Sequence, residues 1–221
     1  MNEPIHHQFP REEFDYQMLL HVLRNYSHPR DKISDLIRKK IIIRIKKGLY
    51  VLGDGYRRHP YSKELLANLI YGPSYISLDY ALQYHRMIPE RVEAITSITI
   101  GRPKRFSTPL GLFIYRGCPL SAYRLGMTRV ENEEGTAFLI ATAEKALCDK
   151  IREDRGTGIR CLKDMRHYLI KELRISEEML ADLDPMQVAE IASRYQSAKI
   201  RLLHKIIKQF KLSKDREAND E

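Results

Sequence analysis

The sequence contains no tryptophan, and only three of its 221 residues are cysteines. Cys118, Cys148 and Cys161 are odd in number and widely spaced, so they form neither a disulfide framework nor a CxxC metal or redox motif. No apolar run approaches the roughly 20 residues needed to span a bilayer. The first residues also lack the apolar segment of a signal peptide. These absences predict a reduced, cytoplasmic protein that does not associate with membranes.

The motifs that organise common enzyme sites are missing as well. The chain has no GxSxG, HExxH, Walker P-loop or GxGxxG sequence. Gly53-Asp54-Gly55 favours a linker over a phosphate loop, because no lysine followed by serine or threonine comes after it. His85 has no partner at metal-ligand spacing. We therefore predict a protein that is not an enzyme and that binds no metal and no cofactor; an enzyme such as a degenerate nucleotidyltransferase would need carboxylates converging on a divalent ion.

One group of charged residues resembles catalytic machinery more closely. Glu144, Lys145 and Asp149 lie on a predicted helix from Ala143 to about Ile151, which Thr142 caps. Lys145 and Asp149 are i, i+4 neighbours, and Glu144 lies in the first turn, where its charge suits the helix dipole. Structural pairing explains all three residues, and a catalytic role is the alternative hypothesis.

The charge of the chain favours a polyanionic partner. The sequence holds 38 lysines and arginines against 29 acidic residues, a net charge of +9. The excess is concentrated in the first 60 residues and in the last third. Eight basic residues lie between Arg30 and Lys47, against only Asp31 and Asp35. This density makes the segment the first candidate for a nucleic-acid contact.

The segment from Pro29 to Leu52 has the pattern of a recognition helix followed by a β-wing. Ile33, Leu36 and Ile37 form a core-facing stripe on a helix from residue 30 to 40. Two alternating runs then meet at Gly48, whose freedom to adopt positive φ suits a tight hairpin. The predicted DNA-binding residues are Arg30, Lys32, Ser34, Arg38, Lys39, Arg44, Lys46 and Lys47. Of these, Ser34 and Arg38 are expected to reach base edges, and the lysines and Arg30 to contact phosphates.

Two further basic groups are open to alternative interpretations. Arg102, Lys104 and Arg105 fall in a predicted sheet turn, where they form either a solvated turn or secondary phosphate contacts. The last helix carries basic residues on one face, which suit DNA or an acidic partner. These residues are Arg194, Arg201, Lys205 and Lys208.

The order of predicted elements indicates an α+β protein with two domains. An amphipathic helix beginning at Phe14, the helix at 30–40 and the hairpin predict a winged helix-turn-helix domain over residues 1–56. Residues 57–221 are expected to form a mixed domain with an antiparallel sheet of short strands and a helical C-terminal third. Asp184-Pro185-Met186-Gln187 combines an N-cap, a first-turn proline and a capping-box glutamine. The polar tail after Ser213 is predicted to be disordered.

Four sequence blocks in fixed order resemble the AbiEi family of abortive-infection antitoxins. They are RIKKGLYVL, GPSYISLDYALQYHRMIPERV, ITSITIGRPKRFSTPLGLFIYR and ATAEKALCD. The resemblance covers about residues 14 to 155, and the order of the blocks makes it specific.

The resemblance implies a transcriptional regulator with an N-terminal winged helix and a C-terminal antitoxin domain. Members of the family repress their own operon by binding inverted repeats in double-stranded operator DNA. They oppose a nucleotidyltransferase-like toxin without needing a stable complex with it, the type IV toxin–antitoxin arrangement. The alternative hypothesis is a winged-helix protein-interaction or RNA-binding module that neutralises such a toxin by direct contact.

Overall fold

The computed structural model describes residues 4–132, 135–155 and 158–220. Its N-terminal region contains a short 3₁₀ turn, two helices and three strands. In chain order they are the turn Ile5–Gln8, β1 (Glu13–Asp15), α1 (Tyr16–Val22), α2 (Pro29–Arg38), β2 (Ile42–Lys46) and β3 (Leu49–Leu52). The strands form an antiparallel sheet in the order β1-β3-β2. The predicted helix and hairpin of residues 29–52 are therefore present.

Strand β1 was not expected from the sequence. Phe14 was assigned to the first helix by its spacing, but it lies in β1 and pairs with Tyr50 of β3. The helix begins two residues later, where the Asp15 carboxylate accepts a hydrogen bond from the Met18 amide at 2.8 Å. A strand of only three residues is too short to be recognised from an alternating sequence pattern. Pairing with β3 is what defines the strand.

The N-terminal region has a small hydrophobic core of its own. Phe9 and Phe14 stack with ring centroids 4.0 Å apart, and the two helices supply aliphatic side chains. The buried members are Phe9, Phe14, Leu19, Val22, Leu23, Ile33, Leu36, Ile42, Tyr50 and Leu52. Ile45, Leu49 and Val51 of the hairpin instead belong to the larger core formed with residues from Leu66 onward. The hairpin thus contributes side chains to both cores.

The rest of the chain is built around a six-stranded sheet. Its order is β6-β7-β5-β4-β9-β8. The strands are β4 (Ser74–Ile76), β5 (Ile95–Thr99), β6 (Lys104–Thr108), β7 (Gly111–Gly117), β8 (Met127–Glu131) and β9 (Ala137–Ala141). The helices are α3 (Lys63–Ile70), α4 (Leu78–Tyr84), α5 (Leu120–Tyr123), α6 (Ala143–Glu153), α7 (Leu162–His167) with a following π-helical turn Tyr168–Glu172, α8 (Glu177–Asp182), α9 (Pro185–Tyr195) and α10 (Ala198–Asp220). The α+β class predicted from the sequence is confirmed.

The predicted antiparallel sheet is in fact mixed. Strand β5 pairs in parallel with β7, and β4 pairs in parallel with β9. Residues 100–103 carry the chain past the end of β7, so that β6 forms the sheet edge and returns through a hairpin into β7. Alternation in the sequence does not reveal β4 or β6, because β4 is buried throughout and β6 is mostly exposed. Neither strand shows the full alternation of a half-buried strand.

The C-terminal third is helical, as expected, and its helices continue further than predicted. Helices α9 and α10 are separate, because Gln196 adopts φ = 52° after α9. Helix α10 then extends to Asp220, so the prediction of a disordered tail after Ser213 is wrong. Ile200, Leu203, Ile206, Ile207 and Phe210 are buried along one side of it. This apolar stripe packs the part of α10 before the polar tail against the larger core.

Two polar side chains near helix starts bond to distant elements instead of their own helix. Asp184 caps α9 as expected, but the Gln187 amide oxygen accepts a hydrogen bond from Thr142 Oγ1 at 2.6 Å. Ser77 precedes α4 without capping it, because its hydroxyl donates to the Asp149 carboxylate at 2.7 Å. Both side chains therefore connect separate elements of the fold.

Candidate nucleic-acid interface

Helix α2 buries one side and exposes cationic side chains on the other. Ile33 and Leu36 are buried in the N-terminal core, which confirms the predicted stripe. Arg30, Ser34, Arg38 and Lys39 are exposed, and Lys32 is half-buried. Pro29 occupies the first helical turn, as expected. The face opposite the core therefore carries the predicted base-reading and phosphate-contacting residues of this helix.

An exposed ion pair network centres on Asp35. Its carboxylate oxygens lie 2.6 Å from Arg38 Nη2 and 2.9 Å from Lys39 Nζ. The hydrogen bonds from Lys39 and Arg38 hold the pKa of Asp35 below its ordinary value. The side chains of Arg38 and Lys39 remain 78% and 57% exposed, so these ion pairs are weak and screened by salt. Both cations can exchange Asp35 for a phosphate or a base edge.

Two other predicted residues of α2 make local contacts. The Ser34 hydroxyl donates to the Arg30 carbonyl at 3.1 Å, which leaves its lone pairs available to an outside donor. The Lys32 ammonium lies 5.1 Å from the ring centroid of Tyr26, a cation–π contact. Tyr26 is 43% exposed in the turn between α1 and α2. It was not among the predicted residues, although aromatic rings beside cations are common at nucleic-acid surfaces.

Lys40, immediately after α2, is a further exposed cation that the predicted set omitted. The run Arg38-Lys39-Lys40 was the signal that pointed to it. Its backbone adopts φ = 55°, and its carbonyl approaches Gly53 so closely that a Cβ there would lie 1.9 Å from the oxygen. Gly53 was interpreted as part of a linker. Its lack of a side chain in fact allows the end of α2 to close against the end of β3.

The two lysines at the hairpin tip have different environments. Lys47 and Arg44 are exposed, as a phosphate contact requires. Lys46 Nζ donates to the carbonyl of Ile70 at the end of α3, at 2.5 Å. Burial and the nearby charge of Lys104 lower the pKa of Lys46. Its ammonium contacts the second part of the molecule, which favours a structural role for Lys46 over the expected phosphate contact.

The second basic cluster lies on a strand. Lys104 and Arg105 belong to β6 and only Arg102 precedes it, so the prediction of a turn is corrected for the first two. All three are exposed. Lys104 Nζ lies 4.5 Å from the Tyr71 ring centroid. Tyr71 follows Ile70, whose carbonyl accepts the hydrogen bond from Lys46, so the edge strand approaches the hairpin tip. The basic residues of α9 and α10, Arg194, Arg201, Lys205 and Lys208, are also exposed.

Two residues of the alternative catalytic group, Lys145 and Asp149, are fully buried and form an ion cluster with neighbouring hydroxyl groups. Lys145 and Asp149 pair at 2.9 Å with no more than 1% of either residue exposed, which confirms the predicted i, i+4 pair. Asp149 also accepts hydrogen bonds from Tyr75, Ser77 and Tyr195. Lys145 also donates to the Tyr195 hydroxyl at 2.7 Å. Burial and the charge of Asp149 raise the pKa of Tyr195. We name these five residues the buried ion cluster.

The polar atoms of this cluster satisfy one another. Both oxygens of Asp149 accept two contacts each, and Glu144 accepts a hydrogen bond from the Asp184 amide at 3.1 Å. The arrangement joins β4, α6 and α9 in the core. A carboxylate enclosed in this way stabilises the fold through well-satisfied hydrogen bonds.

Other kinds of site find little support in the part of the chain that the structure describes. No three histidine, cysteine, aspartate or glutamate side chains of the described chain are placed to hold a metal ion. Within the same residues, every helix is too short or too polar to cross a membrane. No protein-family model matches the chain, and its sequence matches no curated protein.

Proposed function

We propose that this protein is a cytoplasmic, DNA-binding transcriptional autorepressor whose N-terminal region is a winged helix-turn-helix domain. The observation that carries the proposal is the cationic face of α2, which is exposed opposite a packed apolar stripe. The element order β1-α1-α2-β2-β3 with sheet order β1-β3-β2 supports it, because a winged helix has this arrangement. In such domains the second helix of the pair enters the major groove.

The proposed contacts divide by the chemistry that each side chain offers. Arg38 and Ser34 read base edges, because a guanidinium can donate two parallel hydrogen bonds to guanine. Arg30, Lys32, Lys39 and Lys40 bind phosphates beside the groove. Arg44 and Lys47 bind phosphates from the hairpin.

The edge strand β6 extends this surface beyond the N-terminal region. Arg102, Lys104 and Arg105 are exposed, and Lys104 contacts the ring of Tyr71, the residue after Ile70, whose carbonyl accepts the hydrogen bond from Lys46. A duplex that contacts Lys47 therefore has further cations within reach along the same side of the molecule. We assign these three residues to secondary phosphate contacts, which add affinity and salt dependence without sequence preference.

Gel retardation with the DNA upstream of the protein's own gene tests the proposal. A double variant Arg38→Ala/Lys39→Ala should lose the preference for this DNA over a shuffled duplex of equal length. Lys163→Ala removes one exposed charge from α7 and should leave that preference intact. Absence of retardation of the upstream DNA at low salt would refute DNA binding.

The antitoxin role is a second part of the proposal, and it rests on the resemblance to the AbiEi family. We propose that the protein opposes a nucleotidyltransferase-like toxin without a required stable complex. Co-expression with the product of a neighbouring nucleotidyltransferase-like gene should restore growth, while affinity purification from the same cells recovers little toxin. A tight complex formed without DNA would favour neutralisation by direct contact.

A further inference from the structure

A cleft of about 780 Å³ lies between the C-terminal end of α6 and the sheet. Thr96 and Ile114 are adjacent on β5 and β7 and form part of its lining. The start of α4 contributes Leu78 and Asp79, and the end of α6 contributes charged residues from Lys150 onward. Its volume falls in the range of small-molecule sites, about 300–1,000 Å³. None of its residues belongs to the proposed DNA-contact set.

The acidic residues of the cleft are engaged by neighbours. Lys150 Nζ lies 2.8 Å from Asp79 and 3.2 Å from Asp154, and Asp154 also accepts a hydrogen bond from Tyr168. Burial alone would lower the pKa of Lys150, but its hydrogen bond to Asp79 and the charges of both carboxylates raise it. Lys150 therefore stays protonated. Its positive charge partly neutralises the two carboxylates and so weakens their repulsion of an anionic ligand.

Arg152 similarly engages the third acidic residue of the cleft. One of its nitrogens contacts the Glu153 carboxylate at 2.8 Å and the Gly117 carbonyl at 2.9 Å. Its guanidinium also lies 5.1 Å from the Tyr195 ring. These contacts fix Arg152 as part of the cleft wall.

Two arginines in the cleft differ from Lys150 and Arg152. Arg116 on β7 and Arg155 after α6 line the cleft and are exposed. Among the residues that the structure describes, neither guanidinium meets a carboxylate. Each offers up to five N–H donors in a planar fork that matches phosphate oxygens. The cleft thus presents two cationic groups whose donors are available to an anionic ligand.

The cleft also has an apolar wall, which is formed by Leu78, Pro103 and Ile114. Leu78 adopts φ = 61°, a conformation that a bulky side chain rarely occupies. It is held there because Thr96 Oγ1 donates to the Ser77 carbonyl at 2.7 Å and Asp79 is paired with Lys150. A wall fixed on both sides of Leu78 is preformed for a ligand.

We propose that this cleft binds a small phosphorylated molecule of up to nucleotide size. Arg116 and Arg155 hold its phosphate, and Leu78, Pro103 and Ile114 contact its less polar part. Two guanidinium charges match the charge of a phosphate monoester, about −1.5 to −2 near neutral pH, better than that of a single carboxylate. A concave site favours a small ligand over the backbone of a duplex. The inference does not depend on DNA binding by α2.

Calorimetric titration of the full chain at low ionic strength tests the proposal. The probes are adenosine monophosphate and inorganic pyrophosphate, with adenosine as the phosphate-free comparison. Both phosphate probes should bind and raise the melting temperature, and adenosine should bind more weakly. Arg116→Gln/Arg155→Gln should weaken binding about 10- to 100-fold, because it removes charge-assisted hydrogen bonds.

The matched control is Arg129→Gln, which removes one exposed arginine from β8, at the opposite edge of the sheet. This variant should bind both probes as the unaltered protein does. Equal weakening in the control, or no response of the unaltered protein to either probe, would overturn the proposal. If the double variant does not fold, Arg116→Lys decides, since it keeps the charge but loses the planar fork and should still bind more weakly.

A second arm separates a small ligand from the phosphates of nucleic acid. Duplex binding is measured against salt concentration for the unaltered protein and for Arg116→Gln/Arg155→Gln. The proposal expects the same salt dependence for both proteins. If the double variant instead flattens the salt dependence and leaves probe binding unchanged, these arginines contact DNA and the small-ligand site is refuted.

Discussion

Two helices of this molecule carry the same ion pair in opposite environments. Asp35 on α2 and Lys39 at its C-cap lie four residues apart with a nitrogen–oxygen distance of 2.9 Å. Lys145 and Asp149 on α6 have the same spacing and distance in the reverse order. The first pair has 24% and 57% of its side chains exposed, whereas the second is fully enclosed. The spacing is identical, and the large difference in burial separates their expected roles.

The difference follows from the solvent around each charge. Water screens the pair on α2, so its cations can leave Asp35 at little cost and meet a phosphate. The pair on α6 has lost its water and relies on Tyr75, Ser77 and Tyr195 for compensation. An exposed pair can therefore serve binding, and an enclosed pair serves the fold.

The largest effect is expected from Lys145→Met. The substitution leaves Asp149 charged and buried without its cation, which costs about 3–5 kcal/mol in the free energy of unfolding. Urea denaturation followed by circular dichroism measures the loss. Lys39→Met on α2 is the matched change and should have no measurable effect on the same curve.

The double variant Lys145→Met/Asp149→Asn tests whether the unpaired charge causes that loss. The introduced asparagine is neutral and can still accept hydrogen bonds from neighbouring hydroxyls, so the double variant should be more stable than Lys145→Met alone. A double variant that is less stable than either single one would show that packing around Lys145, rather than charge, dominates.

The next effect concerns binding by α2. Arg38→Ala should weaken binding to the preferred DNA roughly tenfold to a hundredfold and relax the preference at one base position, because it removes a base-reading guanidinium. The free energy of unfolding should stay close to that of the unaltered protein. Fluorescence anisotropy with a panel of single-base variants of the duplex measures the binding change and the relaxed preference. Uniform weakening across the panel would instead make Arg38 a phosphate contact.

A smaller effect separates the adjacent lysines of the hairpin. Lys47→Ala should weaken binding to all sequences alike and reduce the salt slope by about 1, as expected for one lost phosphate contact. Lys46→Met should leave the slope unchanged and lower stability, since it removes the hydrogen bond to the Ile70 carbonyl. The salt dependence of anisotropy titrations distinguishes them. Equal salt slopes for the two variants would indicate that Lys46 also contacts a DNA phosphate.

These lysines also show what the sequence can and cannot predict. The periodicity of Ile33 and Leu36 and the position of Gly48 were sufficient to predict α2 and the hairpin, because local spacing determines both. The same run could not separate Lys46 from Lys47. Their difference arises from α3, where Ile70 lies 24 residues beyond Lys46, and no local pattern encodes that contact.

The six-stranded sheet and the buried ion cluster illustrate the same limit. The i, i+4 spacing predicted the Lys145–Asp149 pair, but Tyr75 and Tyr195 come from positions 74 residues before and 46 residues after Asp149. The parallel pairing of β5 with β7 likewise depends on where residues 100–103 lead the chain. Spacing along one helix predicts which residues of that helix are neighbours. Whether such a pair is buried depends on segments that are distant in the sequence.

The smallest expected effect is the contribution of Asp35 to stability at acid pH. Because Lys39 and Arg38 hold the pKa of Asp35 below its ordinary value near 3.8, the ionised form is favoured in the folded state. Its contribution is present above that ordinary value and is lost as the pH falls through the lowered one. Unfolding free energies of the unaltered protein and Asp35→Asn, measured between about pH 3 and pH 6, should therefore converge toward the acid end.

High salt should shrink the same difference at every pH, because the carboxylate and both cations are exposed to solvent. A difference that stays constant across pH and salt would mean that Asp35 stabilises α2 by something other than its charge. At neutral pH the variant should also bind DNA more tightly, since Arg38 and Lys39 would not have to leave a carboxylate before they contact a phosphate. Weaker binding by Asp35→Asn would show that Asp35 positions these cations, and the exposed pair would then resemble the buried one in its role.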